Sequence, residues 1–185
     1  MIDDILRDTR QHMNKSVESL RHDLTAIRTG RANPALLEKI TVEYYGTPTP
    51  LNQLALISVP EARILAIKPY DRTTMNAIEK AILKSDLGLT PNNDGQIIRL
   101  VLPQLTEQRR RELVKQASKR VEEAKVALRN IRRDAIKDMQ DAEKEDLITE
   151  DQLEGGKEQL QKLIDKTTEQ VEQIGKAKEA EIMEV

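Results

Sequence analysis

The residues best suited to do chemistry in this sequence are three arginines in one short helical segment, residues 128–135. Arg129, Arg132 and Arg133 lie within about one and a half turns of the predicted helix. A guanidinium group binds phosphate through two parallel hydrogen bonds, so such a cluster is suited to hold a nucleic-acid backbone. The cluster therefore indicates phosphate binding as the chemistry to consider first.

No pattern typical of catalysis or of a bound metal accompanies the arginines. His12 and His22 are the two histidines of a chain without cysteine, which excludes zinc-thiolate sites and thiol chemistry. Residues 92–95 resemble the start of a calcium loop, but the downstream glutamate is missing and a tight turn explains them better. Residues 155–157 lack the spacing of a phosphate-binding P-loop. We therefore expect no enzyme, no cofactor and no metal.

The arginines belong to a helix that the apolar periodicity predicts from about residue 107 to 147. At ~100° per residue, its apolar residues form one stripe that must face a core. The stripe consists of Leu113, Ala117, Val121, Ala124, Leu128, Ile131, Ala135, Met139 and Ala142. Beside the stripe lies a band of cations formed by Arg111, Lys115, Lys125, Arg129, Arg132 and Arg133. The helix therefore has a buried side and a cationic side.

Charge is segregated along the chain although the formal net charge is only −2. Residues 107–137 carry eleven basic and five acidic residues, whereas residues 138–185 carry six basic and fifteen acidic ones. Four further arginines gather at two places, just after the first predicted helix and at the start of the helix that begins near residue 107: Arg28, Arg31, Arg109 and Arg110. These are the two connections of the predicted hinge described below. An ordinary solvated helix face is the alternative interpretation, but the segregation and the preference for arginine favour structured RNA, contacted through its backbone and shape.

The periodicity also predicts the elements that position this helix. A first helix covers residues 2–28 and ends before Gly30. All prolines and tyrosines lie between Pro34 and Pro103, which predicts a separate unit there. Within that unit we expect strands at residues 40–45, 54–59, 64–68 and 97–102, and a short helix capped by Thr73 or Thr74.

A third helix is predicted from the capping box at Thr149 and Gln152 onward. Two glycines, Gly155 and Gly156, fall inside its pattern and should each cost roughly 1 kcal/mol relative to alanine. We therefore expect a soft or irregular first turn in this helix.

These elements predict an α+β protein. Residues 1–29 and 105–185 form a three-helix bundle that is discontinuous in sequence, and residues 31–104 form a small inserted β/α/β domain. Helix 1 can reach its partners only if the intervening chain loops out and returns, so two short connections join the domains. The residues of this predicted hinge, at 29–31 and 103–106, include Thr29, Gly30, Arg31, Pro103, Gln104 and Leu105.

Several segments of the sequence resemble the bacterial ribosome recycling factor family. The resemblance covers essentially the whole chain in order and includes Arg129-Asn130-Ile131-Arg132-Arg133-Asp134-Ala135. The other matching segments are residues 29–37, 42–51, 57–63, 86–89, 91–95 and 98–100. The departures are Asn33 where serine is common, Ile136-Lys137 after the arginine motif, and Gly155-Gly156.

The resemblance implies an L-shaped molecule, often compared with transfer RNA, that acts as a cytoplasmic monomer. It implies binding to the post-termination ribosome and its dissociation into subunits with elongation factor G and GTP, so that mRNA and deacylated tRNA are released. GTP hydrolysis would belong to the partner. Large-subunit ribosomal RNA would contact Lys125, Arg129, Arg132, Arg133, Arg28, Arg31, Arg109 and Arg110.

Two other functions are open from the residues alone. One is a helical protein-interaction module, such as a chaperone-like clamp, whose charged faces only confer solubility. The other is a hydrolase on the central domain, which nothing in its residues supports. The acidic N-terminus and short apolar runs predict neither a signal peptide nor a membrane span, and therefore a cytosolic protein.

Overall fold

The computed structural model describes residues 1–184 and divides the chain into two compact units. The first unit contains Met1–Thr29 together with the chain from Thr106 onward, and the second contains Gly30–Leu105. In chain order, the α-helices are α1 (Ile2–Thr25), α2 (Leu51–Leu54), α3 (Met75–Lys84), α4 (Glu107–Lys144) and α5 (Glu150–Met183). The strands are β1 (Thr41–Tyr44), β2 (Thr47–Pro50), β3 (Ala55–Glu61), β4 (Ile64–Pro69), β5 (Asn92–Asn93) and β6 (Ile98–Val101).

The first unit is a bundle in which α1, α4 and α5 pack against one another. Most of the predicted α4 stripe is buried, with Val121 and Ile131 partly so. Met13, Leu128, Met139 and Leu160 are among the fully buried side chains at its centre. Since the chain lacks Phe and Trp, this core is aliphatic.

The end of α1 differs from the sequence prediction. The helix stops at Thr25, so Gly30 is not the residue just past its end. Gly30 has a φ of +76°, and a Cβ there would lie 3.3 Å from the Pro103 carbonyl oxygen and 3.4 Å from Leu105 Cγ. Glycine is therefore required at this position by a close approach within the second unit, in a backbone conformation that other residues rarely adopt.

Helix α5 begins as predicted but is regular where an irregular turn was expected. The Thr149 hydroxyl accepts from the Gln152 amide while the Gln152 side chain accepts from the Thr149 amide. Gly156 is buried, and a Cβ there would lie 2.9 Å from Ile2 Cδ1 and 3.2 Å from Met139 Sδ. The prediction was wrong because packing overrides the low helix propensity: Gly156 lets three helices approach closely.

The second unit contains two antiparallel sheets. Strands β1 and β2 form a hairpin, and the other four strands form a sheet in the order β3-β4-β6-β5. Helix α3 lies between β4 and β5 in the chain and packs on β1. The core of this unit includes Leu37, Leu51, Leu65, Ile67 and Leu100.

The hairpin contains a strand that the sequence analysis missed. The first strand was expected to end at residue 45 with no strand directly after it, yet Thr47–Pro50 pairs with Thr41–Tyr44 as β2. Prolines at positions 48 and 50 argued against a strand, but β2 has a partner on one side only, where proline is tolerated.

The cap at the start of the α3 region differs from the prediction in part. Thr74 is the N-cap residue of α3, as predicted, but its side chain makes no capping hydrogen bond. Asp71 caps the 3₁₀ turn Arg72–Thr74 that comes before α3, and its side chain accepts from the Thr73 amide at 2.9 Å. Hydrogen bonds from the Thr73 hydroxyl and amide hold the pKa of Asp71 below its usual value. An aspartate can fill the same capping role as a threonine, so the two could not be distinguished by type.

The hairpin turn provides a first testable prediction. Tyr45 is 85% exposed and has a φ of +49° in a two-residue turn with Gly46. Asparagine adopts this conformation more readily than tyrosine. We expect Tyr45→Asn to raise the free energy of unfolding of the second unit by up to ~1 kcal/mol, measured by thermal denaturation. A loss of stability would show that the edge contact between the Tyr44 and Tyr45 rings, 4.5 Å apart, matters more than the backbone.

Candidate nucleic-acid interface

Four of the predicted site residues share one side of α4, which we call the cationic flank: Lys125, Arg129, Arg132 and Arg133. The flank follows from helical spacing, because these positions lie beside the stripe whose apolar side chains are buried against α1 and α5. The side chains of Arg133 and Arg129 are 76% and 59% exposed, whereas Arg132 is half-buried. The bundle therefore holds the backbone of the flank rigidly while its guanidinium groups remain accessible.

Each member of the flank has a different partner. Arg129 Nη2 lies 3.2 Å from Glu122 Oε1 on the same helix, and Lys125 Nζ lies 3.1 Å from Glu172 Oε1 on α5. Arg132 donates to the Gln161 side-chain oxygen on α5 at 3.4 Å, a long hydrogen bond to a neutral group. Arg133 Nε lies 4.0 Å from Asp134 Oδ1. Two cations are therefore paired closely with carboxylates and two are not.

These geometries determine how each residue can bind an anion. Arg133 is the most exposed and least closely paired, so a phosphate can reach it without displacing a tight partner. Arg132 is half-buried, and its hydrogen bond to Gln161 of α5 orients the guanidinium group, which reduces the entropy lost when it binds. A phosphate can bind Lys125 only after it displaces Glu172, and it can bind Arg129 only after it displaces Glu122. The flank can therefore offer several cationic hydrogen-bond donors to phosphate groups, and these donors are not equally accessible.

The remaining predicted site residues do not extend this flank. Arg109 lies about 170° around the helix from the centre of the band, and its Nη1 pairs with Glu112 Oε2 at 3.0 Å. Arg110 is half-buried, and its Nε atom is buried without a hydrogen-bond partner in residues 1–184. Arg28 is exposed after the end of α1, and Arg31 is exposed at the start of the second unit.

The groups that oppose the cations were not predicted from the sequence. Glu122 could have been found, because at ~100° per residue it falls inside the cationic band. Glu172 and Gln161 gave no signal, because their positions opposite the flank depend on how α5 packs against α4.

Residues 1–184 contain no group of three or more His, Asp or Glu side chains placed to hold a metal ion. Over the same residues, no helix has the length and apolar character needed to cross a bilayer.

The fold and the site define a class of protein: a three-helix bundle with an inserted α+β unit, whose candidate site is a charged surface on α4. Residues 20–183 match the family described as Ribosome recycling factor. The chain belongs to the ribosome recycling factor family, which confirms the resemblance seen in its sequence and the α+β fold.

Two relatives and two solved structures support this assignment over the full chain. The ribosome-recycling factors of Heliobacterium modesticaldum and Syntrophomonas wolfei are 60% and 58% identical over 185 residues, covering all of both chains. A solution structure of a ribosome recycling factor is 43% identical with a TM-score of 0.76, covering all of this chain and 98% of that one. A second structure is 42% identical with a TM-score of 0.65 and full coverage of both chains. It consists of models for the T. thermophilus ribosome recycling factor and the E. coli elongation factor G bound to the E. coli post-termination complex.

Proposed function

We propose that this protein recycles ribosomes: it binds the post-termination ribosome and, with elongation factor G and GTP, dissociates it into subunits so that mRNA and deacylated tRNA are released. The observation that carries this function is the full-length similarity to recycling factors, one of which is described together with elongation factor G on a post-termination complex. Its place of action would be the cytoplasm, and its partners would be the ribosome and elongation factor G.

In this proposal the cationic flank docks on large-subunit ribosomal RNA. Support comes from the exposure of Arg129 and Arg133, from the orientation of Arg132 by α5, and from the excess of basic residues along α4. Guanidinium groups on a rigid helix suit the regularly spaced phosphates of a folded RNA. Arg28, Arg31, Arg109 and Arg110 would form a second group of contacts, near the connections between the domains.

The second domain would move relative to the bundle on the two connections at residues 29–31 and 103–106. Thr29, Gly30, Arg31, Pro103, Gln104 and Leu105 would absorb the backbone changes that such motion requires. Within the first unit, the Thr29 hydroxyl donates to Glu181 Oε1 on α5 at 3.1 Å, which would fix the point where the connection leaves the bundle. The protein would need no catalytic group of its own, because GTP hydrolysis would belong to its partner.

The direct test is a splitting reaction with purified components. Post-termination ribosomes are mixed with this protein, elongation factor G and GTP, and light scattering is followed. We expect scattering to fall as subunits separate, and to stay constant when either factor or GTP is left out. Unchanged scattering with all components present, in a preparation that an established recycling factor splits, would rule out the proposed function.

A further inference from the structure

An acidic residue of α4 falls within the angular range of the cationic flank. Between Arg111 and Arg133 the acidic residues of α4 are Glu112, Glu122 and Glu123. At ~100° per residue, Glu112 and Glu123 point well away from the cations, whereas Glu122 falls among them. A second carboxylate, Glu172, reaches the same flank from α5.

Both carboxylates contact cations of the flank. Glu122 lies two helical turns before Arg129, and their side chains, each 59% exposed, meet at 3.2 Å. Glu172 and Lys125 meet at 3.1 Å with side-chain exposures of 47% and 26%. Each carboxylate oxygen therefore occupies a place that a phosphate oxygen would take.

Stability does not explain these pairs well. The Glu122–Arg129 pair is exposed and the Glu172–Lys125 pair is partly exposed. Ion pairs that solvent reaches contribute roughly 0.2–1 kcal/mol, because solvent screens the attraction and ordering two long side chains has an entropic cost. The bundle already buries a continuous aliphatic core along α4. The main physical effect of the two carboxylates is therefore on the electrostatic potential of the flank and on the availability of its donors.

We propose that Glu122 and Glu172 compete internally with RNA phosphates for Arg129 and Lys125, so that they limit the affinity of docking and speed release. The inference rests on the proposed docking of the flank on RNA. A phosphate that binds Arg129 must displace Glu122, and the displaced carboxylate then repels the phosphate. A factor that must leave each ribosome after use dissociates faster because of this competition, and it binds the ribosome less tightly.

The test uses Glu122→Gln and Glu172→Gln, which remove charge with little change in side-chain size. Affinity for purified large ribosomal subunits is measured by co-sedimentation across a salt series. We expect roughly two- to fivefold tighter binding for each variant at low salt, with the gain shrinking as salt rises. We also expect slower dissociation of each variant.

Glu123→Gln is the matched control. It makes the same change in net charge one residue away, and Glu123 also pairs with an arginine, Arg120, at 3.2 Å with both side chains about half exposed. Equal tightening by Glu122→Gln and Glu123→Gln would overturn the inference, because net charge alone would then explain the effect. Absence of tightening in Glu122→Gln and Glu172→Gln would overturn it as well.

A double-mutant cycle separates this inference from the function on which it rests. If Glu122 acts through Arg129, Glu122→Gln should tighten binding less when Arg129 is already alanine. If Arg129→Ala and Arg132→Ala fail to weaken binding, the docking surface itself is wrong. If they weaken binding but Glu122→Gln has the same effect with or without Arg129, only the competition between Glu122 and phosphate is wrong.

Discussion

Replacing Arg129, Arg132 and Arg133 together with alanine is expected to lower the affinity for large ribosomal subunits by roughly a hundredfold, at about 1 kcal/mol for each lost contact. The slope of log affinity against log salt should become shallower by about one unit per lost phosphate contact. Co-sedimentation across a salt series measures both quantities. The side chains of Arg129 and Arg133 are largely exposed, so the fold should be retained, which thermal denaturation checks.

The control for the triple variant removes three exposed arginines elsewhere in the bundle. Arg7, Arg21 and Arg120 have side-chain exposures of 67%, 50% and 49%, and each pairs with an acid on its own helix. Replacing these three with alanine changes the net charge equally but leaves the cationic flank intact. A similar loss of affinity in both triple variants would mean that binding depends on overall charge and not on the flank.

The second large effect concerns stability. Replacing Gly156 with leucine should destabilise the bundle by at least about 2 kcal/mol, because added atoms in a packed core force neighbours apart. A Cβ alone would lie 2.9 Å from Ile2 Cδ1 and 3.2 Å from Met139 Sδ, and leucine adds three more carbons. The melting temperature should fall by roughly 4–8 °C for a chain of this size.

Gly155→Ala is the control, and it is expected to have the opposite effect on stability. A Cβ at Gly155 would meet nothing within 4 Å, so Gly155→Ala should stabilise α5 by up to ~1 kcal/mol through helix propensity. Thermal unfolding followed by circular dichroism compares the two variants. If Gly156→Leu melted at or above the temperature of the unsubstituted protein, the helices would not be as closely packed there as the structure indicates.

The features that were predicted best from the sequence are those that depend on helical periodicity and on local capping. The α4 stripe, the adjacent cations and the capping box at Thr149 and Gln152 follow from spacing along one element, and the structure has all three. The close packing at Gly156 could not be predicted, because it depends on which residues of two other helices lie opposite. Strand β2 was missed because the prohibition on proline depends on whether a strand has one neighbour or two.

The candidate site was predictable only in part for the same reason. The side of α4 that carries Arg129, Arg132 and Arg133 follows from helical geometry. Which cations have carboxylate partners depends on α5, and Glu172 is 47 residues from Lys125 in the chain. The ranking of the arginines by accessibility therefore required the three-dimensional structure, in which Arg133 is the most exposed of the three.

The confinement of Tyr44, Tyr45 and Tyr70 to the second unit has an optical consequence. With no tryptophan or phenylalanine in the chain, ultraviolet absorbance near 280 nm and intrinsic emission come only from this unit. Far-ultraviolet ellipticity, in contrast, is dominated by the long bundle helices. The unlabelled protein therefore carries two separate spectroscopic signals, one for each unit, and their denaturation can be followed independently in a single sample.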